Sequence, residues 1–173
     1  MRVLLASEPG AADRPNEDFA AVVPGAAVLL DGAGFPPGRE TGCLHGTAWY
    51  ARMLGGQLAA GASDETAPLP EVLVRGIGEV RRMHAGTCDL RNPATPQATV
   101  VLARQAGGML EYLVLCDSVL LLQGRDGQAR AITDSRLDDI AAKVRAASGL
   151  TRATPRDDPA WRACSEQVEA ARN

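Results

Sequence analysis

The sequence predicts an α+β fold in one domain spanning residues 1–173. Strand-like segments fall into two blocks, one near the N terminus and one between residues 98 and 133. Helical periodicity fills the stretch between the blocks and the stretch after them. Such segregation marks α+β architectures, whereas βαβ folds alternate. A length of 173 residues suits one domain with a sizeable core. Apolar residues make up 46% and charged residues 23%, a globular balance. With aromatics at 3%, Ala, Val and Leu must build that core.

Taken in order, "RVLLAS" (2–7) has the pattern of a first strand, and residues 8–18 that of a loop rich in Gly, Pro, Asp and Asn. "FAAVV" (19–23) and "AAVLLD" (26–31) flank Pro24-Gly25 and predict a hairpin; "GAGFPPG" (32–38) is loop again. From about Arg39 to Gly61 the period becomes helical, with Leu44, Ala48, Ala51, Leu54 and Leu58 on one stripe. A second helix is expected from about Leu69 to Gly86, with Leu73, Ile77, Val80 and His84 on one face. Gly76 and Gly78 would each weaken it by about 1 kcal/mol unless another element packs closely there.

After the turn at 91–97, strands are expected at 98–104, within 107–124 and at 128–133. Gly107-Gly108 and Asp126-Gly127 supply the hairpin turns. The long middle run should break at Cys116-Asp117-Ser118, because an acid inside a buried apolar run needs a reason to be there. A helix follows over 134–149, capped at Asp134 or Ser135. The last helix starts at Asp158 with Pro159 in its first turn and carries Trp161, Cys164, Val168 and Ala171 on one stripe.

The net charge of −3 and the scattered arginines argue against nucleic acid as a partner. Lys143 is the only lysine among the 18 basic residues, which with the abundant alanine suggests a GC-rich, bacterial genome. No apolar run approaches the ~20 residues that span a bilayer, so no membrane role is expected and the chain reads as cytoplasmic. Its four cysteines, without a CxxC pair, are expected as reduced thiols.

The candidate chemistry starts at "RPNEDFAAVVPGAAVLLDGAG", Arg14 to Gly34. A hairpin brings Asp18 and Asp31 to the same mouth. There they could share Mg²⁺ or Mn²⁺, hard cations that prefer oxygen, or merely solubilise two strand ends. Gly32 would let its backbone carbonyl approach the same ion, and Arg14 could clamp a phosphate through paired donors. The glycines of "DGAG" miss the spacing of a dinucleotide-binding loop.

The ordered set "RPNED", "VLLDGAG", "ATVVLA", "LVLCDSVLLL" and "AITD" resembles the metal-dependent PP2C-type Ser/Thr protein phosphatases. That family carries R-x-x-[NM]-E-D, V-x-D-G-x-G-G, a [ST]-T strand, G-D-S-R and an L-T-x-D turn, and the likeness runs along essentially the whole chain. It implies an α-β-β-α sandwich, here incomplete at the C-terminus. It also implies hydrolysis of phosphoserine or phosphothreonine in a phosphorylated protein or peptide by water activated at two Mg²⁺ or Mn²⁺ ions. By position Arg14 corresponds to the phosphate-binding arginine and Asp18 to a metal-binding aspartate. Asp31 corresponds to the bridging aspartate, with the Gly32 carbonyl as a further ligand, and Asp117 to an aspartate near the metal-bound waters.

Several positions depart from the pattern. Ala33 stands where many members have His or Met, Phe35 and Cys116 replace glycines, and Val119 follows the D-S pair. The family's later D-G-x-x-[DE] and D-[DN]-x-[TS] motifs, which supply further metal-binding acids, have no counterpart. A catalytically inactive binding or regulatory module is therefore an alternative to a phosphatase. A third reading, a structural zinc protein, rests on Cys43-x-His45 before the first long helix and His84-x-x-x-Cys88 at the end of the second. Antiparallel packing of the two helices would let these four converge, although core packing is the ordinary fate of such residues.

Overall fold

The computed structural model describes residues 3–34, 38–151, 153–155 and 157–172. Strands β1 (Phe19–Val23), β2 (Ala26–Leu30), β5 (Val100–Ala106) and β6 (Met109–Leu115) form one antiparallel sheet in the order β1-β2-β5-β6. Two short ribbons accompany it, β3 (Gly32–Ala33) with β4 (Gln97–Ala98), and β7 (Leu120–Gln123) with β8 (Ala129–Ile132). The expected hairpins form, with Gly25 at φ 77°, Gly107 and Gly108 at φ 55° and 78°, and Gly127 at φ 79° closing the turns. The long apolar run breaks between β6 and β7, at Cys116-Asp117-Ser118.

Alternation in the strands explains which face is covered. Ala26, Val28 and Leu30 of β2 lie beside Arg104, Leu102 and Val100 of β5, and all six are buried. Helices α1 (Thr47–Ala62) and α2 (Leu69–Met83) cover this face with Leu54, Leu58, Val72 and Val80. Gly76 lets α2 approach α1, since a Cβ there would lie 3.1 Å from Leu58 Cδ2; Gly78 faces open space. The opposite face carries Val22, Leu29, Leu110 and Tyr112, 39–45% exposed. In an α-β-β-α sandwich that is the face a second sheet covers, and here these side chains stay partly exposed.

Three expectations shift. Residues 3–7 form no strand, and Val3, Leu4 and Leu5 are exposed, because no neighbouring strand pairs with them among the described residues. Helix α1 begins at Thr47 rather than near Arg39, because Gly46 enters at φ 76°; Leu44, in phase with the stripe, is 83% exposed. Helix α2 ends at Met83, and its buried stripe is Leu69, Val72, Gly76 and Val80, while Ile77 is exposed. Helices α3 (Arg136–Ala147) and α4 (Pro159–Arg172) pack on each other, with Cys164 buried and Asp158 Oδ1 accepting the Ala160 N–H at 2.8 Å. Phe35 lies outside the described residues, as does the side chain of Ala171.

Adjacent glycines in α1 should respond to alanine with opposite signs. A Cβ at Gly55 would collide with the Phe19 ring, whereas at Gly56 it would meet nothing within 4 Å. Gly55→Ala should destabilise by about 1–3 kcal/mol through overpacking. Gly56→Ala should stabilise by roughly 0.5–1 kcal/mol, both readable by urea denaturation.

Candidate functional site

The site arises from strand register. Phe19 pairs with Leu30, so the next positions outward set Asp18 opposite Asp31. Beyond the last β2–β5 pairs, the Thr99 N–H donates to the Asp31 carbonyl at 2.9 Å, and the Asp31 N–H donates to Thr99 Oγ1 at 3.3 Å. Val100 pairs with Leu115, which brings the Cys116-Asp117-Ser118 turn to the same end of the sheet. Thr99 Oγ1 and Ser118 Oγ are hydrogen-bonded there. Four segments distant in sequence thus deliver Asp18, Asp31, Thr99 and Asp117 to one edge.

The remaining motif residues shape that edge. Asn16 Oδ1 accepts the Asp18 N–H at 2.9 Å, a side-chain turn that leads the loop into β1. Gly32 lies against the Glu17 carbonyl and would place a Cβ 2.8 Å from Thr47 Cγ2, and the Glu17 carboxylate packs on Gly34. The glycines of "DGAG" therefore serve close approach of the "RPNED" segment. Arg14 sits exposed in that segment, its N–H donating to Ala11 O at 3.2 Å. Glu17 and Thr99 were not singled out as site residues from sequence; a threonine opening the apolar run 99–103 was the available signal for the second.

Electrostatics at the edge favour a cation. Burial raises the pKa of Asp31 above its ordinary value, and the charges of Asp18 and Asp117, with a side-chain hydrogen bond to Asp18, add to the rise. Carboxylate oxygens gathered at a cost in mutual repulsion are the donor set a hard divalent ion takes, so these residues fit Mg²⁺ or Mn²⁺. Beside them opens a cleft of about 480 Å³ whose walls include Thr99, Asp117, Asp134, Arg136 and Ile140.

The floor of that cleft is braced. Asp134 Oδ2 accepts the Cys116 N–H at 3.2 Å, and the Asp134 N–H donates to Cys116 O at 3.1 Å. Arg136 clamps the Asp134 carboxylate with two bonds of 2.7 Å, holding its pKa well below the usual carboxylate range. Cys116 has φ 64°, the left-handed region that favours glycine, so this chain keeps the glycine's backbone with a side chain in its place.

Away from that edge, Cys43, His45, His84 and Cys88 do converge, their ligand atoms all within 4.8 Å of one another. Cys88 lies beyond α2, not on it. The Cys88 N–H donates to His84 O at 3.3 Å and Gly86 has φ 80°, so a turn rather than a helix presents the pair. Burial raises the pKa of Cys43 against N–H groups of His45 and Gly46. Burial opposes ionisation of Cys88 as well, yet the Leu44 N–H, the Thr87 hydroxyl and Cys43 outweigh it and lower the thiol's pKa.

A family model described as protein phosphatase 2C matches residues 11–170. Among solved structures, the fold is similar to the PPM Ser-Thr phosphatase MsPP from Mycobacterium smegmatis, with TM-score 0.56 and 18% identity over 89% of this chain and 61% of that one. It is also similar to the Mycobacterium tuberculosis serine/threonine phosphatase PstP/Ppp, with TM-score 0.58 and 19% identity over 85% of this chain and 62% of that one. At such identities the likeness is one of fold, and the chain spans about three-fifths of the length of these structures. No curated protein matches the sequence.

The brace yields two predictions. Cys116→Gly should raise stability by roughly 0.5–1 kcal/mol in urea denaturation, because relief of the left-handed strain outweighs the added backbone freedom of glycine; Cys116→Val should lower it. Asp134 has a folded pKa below its ordinary 3.8, so its stabilisation is fully present above that value and is shed as pH falls below it. Asp134→Asn should lower Tm at pH 7 and flatten the acid limb of the Tm–pH profile.

Proposed function

The chain belongs to the protein phosphatase 2C family, and from that premise we propose that it hydrolyses phosphoserine or phosphothreonine in protein or peptide substrates. The observation that carries this reading is the meeting of Asp18, Asp31 and Asp117 at one end of the sheet, where Asp31 carries the electrostatic burden of its neighbours. Asp18, Asp31 and the Gly32 carbonyl would hold Mg²⁺ or Mn²⁺. Once bound, such ions lower the pKa of coordinated water and so supply the nucleophile, with no covalent enzyme intermediate. Asp117, beside the cleft, would accept a hydrogen bond from the attacking water and orient it. Arg14, exposed in the segment that leads to Asp18, would pair two donors with the phosphate. Thr99 fixes Asp31 from the backbone side and is a positioning residue.

We read residues 1–173 as the N-terminal portion of the family fold, acting in the cytoplasm of a bacterium. The open apolar sheet face, the share of the solved relatives' length that is spanned and the missing later acidic motifs support that reading. Among the described residues no helix is long and apolar enough to cross a membrane. The same missing acids favour a second reading, an inactive module that binds a partner or a phosphorylated segment. Two carboxylates neutralise two divalent ions poorly, and a site lacking ligands binds them weakly.

Hydrolysis of p-nitrophenyl phosphate in Mn²⁺ separates these. Activity is expected, and Asp31→Ala should lower the rate on the order of 100-fold, the scale of losing one electrostatic stabiliser. A rate unchanged by Asp31→Ala would remove the assignment. A well-folded chain that binds no Mn²⁺ in calorimetry would support the inactive module.

A further inference from the structure

We propose that Cys43, His45, His84 and Cys88 form a structural Zn²⁺ site that staples the segment before α1 to the turn after α2. This site lies apart from the carboxylate edge and does not depend on phosphatase activity. With Zn–S near 2.3 Å and Zn–N near 2.0–2.1 Å, a tetrahedral ion sets its ligands about 3.8 Å apart for S···S and about 3.6 Å for S···N. Cys43 Sγ and Cys88 Sγ are 3.6 Å apart. Cys43 Sγ lies 3.5 Å from His84 Nε2 and 3.9 Å from His45 Nδ1, and Cys88 Sγ lies 3.4 Å from His45 Nδ1. These separations match four of the six edges of a tetrahedron around one ion, and the other two, from His84 to His45 and to Cys88, are no longer than 4.8 Å.

The surroundings suit the ion as well as the spacing does. His84 Nδ1 lies 2.8 Å from the Val80 carbonyl. A proton there bonds that carbonyl and leaves Nε2 lone-paired toward the cluster, the arrangement by which second partners orient metal-ligating histidines. The His45 ring stacks on Trp49, with centroids 4.1 Å apart, and so cannot swing freely. The Leu44 N–H donates to Cys88 Sγ and the His45 N–H to Cys43 Sγ, both at 3.4 Å, as thiolate ligands require. Two thiolates cancel the dication's charge, which spares a half-buried site any net charge. Two sulfurs and two imidazoles in a tetrahedron select Zn²⁺ over the oxygen-seeking ions of the carboxylate edge. Four protein ligands leave no open position, so the site is structural rather than catalytic. A cleft of about 520 Å³ bordered by His84 and Cys88 gives the ion a way in.

Ordinary packing explains less of this. Plain packing of small apolar side chains does not demand that four ligand atoms point at one spot, nor that backbone N–H groups address both sulfurs. A disulfide is the stronger rival, but at 3.6 Å the sulfurs stand well beyond the bonding distance of about 2.05 Å. Zinc also gives the staple a task. Thr47, two residues past His45, abuts Gly32 of the carboxylate edge, so tying His45 down braces that loop.

The full chain, purified under reducing conditions, tests the proposal by metal analysis and by Co²⁺ substitution. The expected result is one zinc per chain, and a Co²⁺ form with the intense visible bands of tetrahedral coordination and a thiolate charge-transfer band. Chelation at pH 7 should lower Tm, and Zn²⁺ but not Mg²⁺ should restore it. Cys88→Ser should weaken Zn²⁺ at least on the order of 100-fold, beyond the range of second-partner losses, while Asp31→Asn should leave zinc content unchanged. The wild-type measurements stand if a variant fails to fold. A folded, reduced chain that neither carries nor takes up stoichiometric zinc would overturn the site. So would a Cys43–Cys88 disulfide with no zinc after reduction, or zinc lost with Asp31→Asn.

Discussion

Asp18 and Asp31 face each other across the β1–β2 hairpin because the ladder that buries Ala26, Val28 and Leu30 allows no other alignment. A slip of one residue would turn that buried set to the opposite face, so the core holds the register and the register holds the acids. Two like charges are thereby kept together by the hydrophobic effect acting elsewhere, with Asp117 delivered to the same end by the turn after β6. Repulsion of this kind persists in a folded protein when something else offsets it, and a divalent cation is the simplest agent.

Each neighbouring device keeps that end of the sheet in place. The Glu17 carbonyl packs on Gly32 and its carboxylate on Gly34, so the loops before β1 and after β2 interlock where the glycines leave room. Asp134 ties the Cys116 backbone down, and it holds that residue in the left-handed region just before Asp117. The segment from Gly32 to Thr47 has the carboxylates at one end and the Cys43–His45 pair near the other. Two kinds of metal chemistry, hard oxygen donors and soft sulfur–nitrogen donors, would then anchor one stretch of chain at both ends.

Much of this was legible in the sequence. Alternation and turn residues located β1 and β2, and the interruption at Asp117 separated β6 from β7, because those features depend on neighbours along the chain. The series of short motifs pointed to Asp18, Asp31 and Asp117, and the topology brings these three acids to one end of the sheet. Tertiary context hid the rest. Leu44 kept the helical phase although Gly46 starts α1 later, and residues 3–7 have strand character without a strand to pair with. The four Cys and His residues read most simply as core, because only antiparallel packing of α1 and α2 reveals that they meet. Glu17 and Thr99 were missed because their roles are contacts to backbone, which spacing does not encode.

The central claim is that register forces Asp18 against Asp31 and that a cation resolves the conflict. A double-mutant cycle with Asp18→Asn and Asp31→Asn, followed by urea denaturation with and without Mn²⁺, addresses it most directly. Without metal, each single variant should be more stable than the parent by about 0.5 kcal/mol, the scale of an exposed charge pair, and the double should gain little more. With Mn²⁺ the order should invert, the unmutated chain becoming the most stable. Strictly additive effects without metal, together with an equal Mn²⁺ response in all four proteins, would contradict the account.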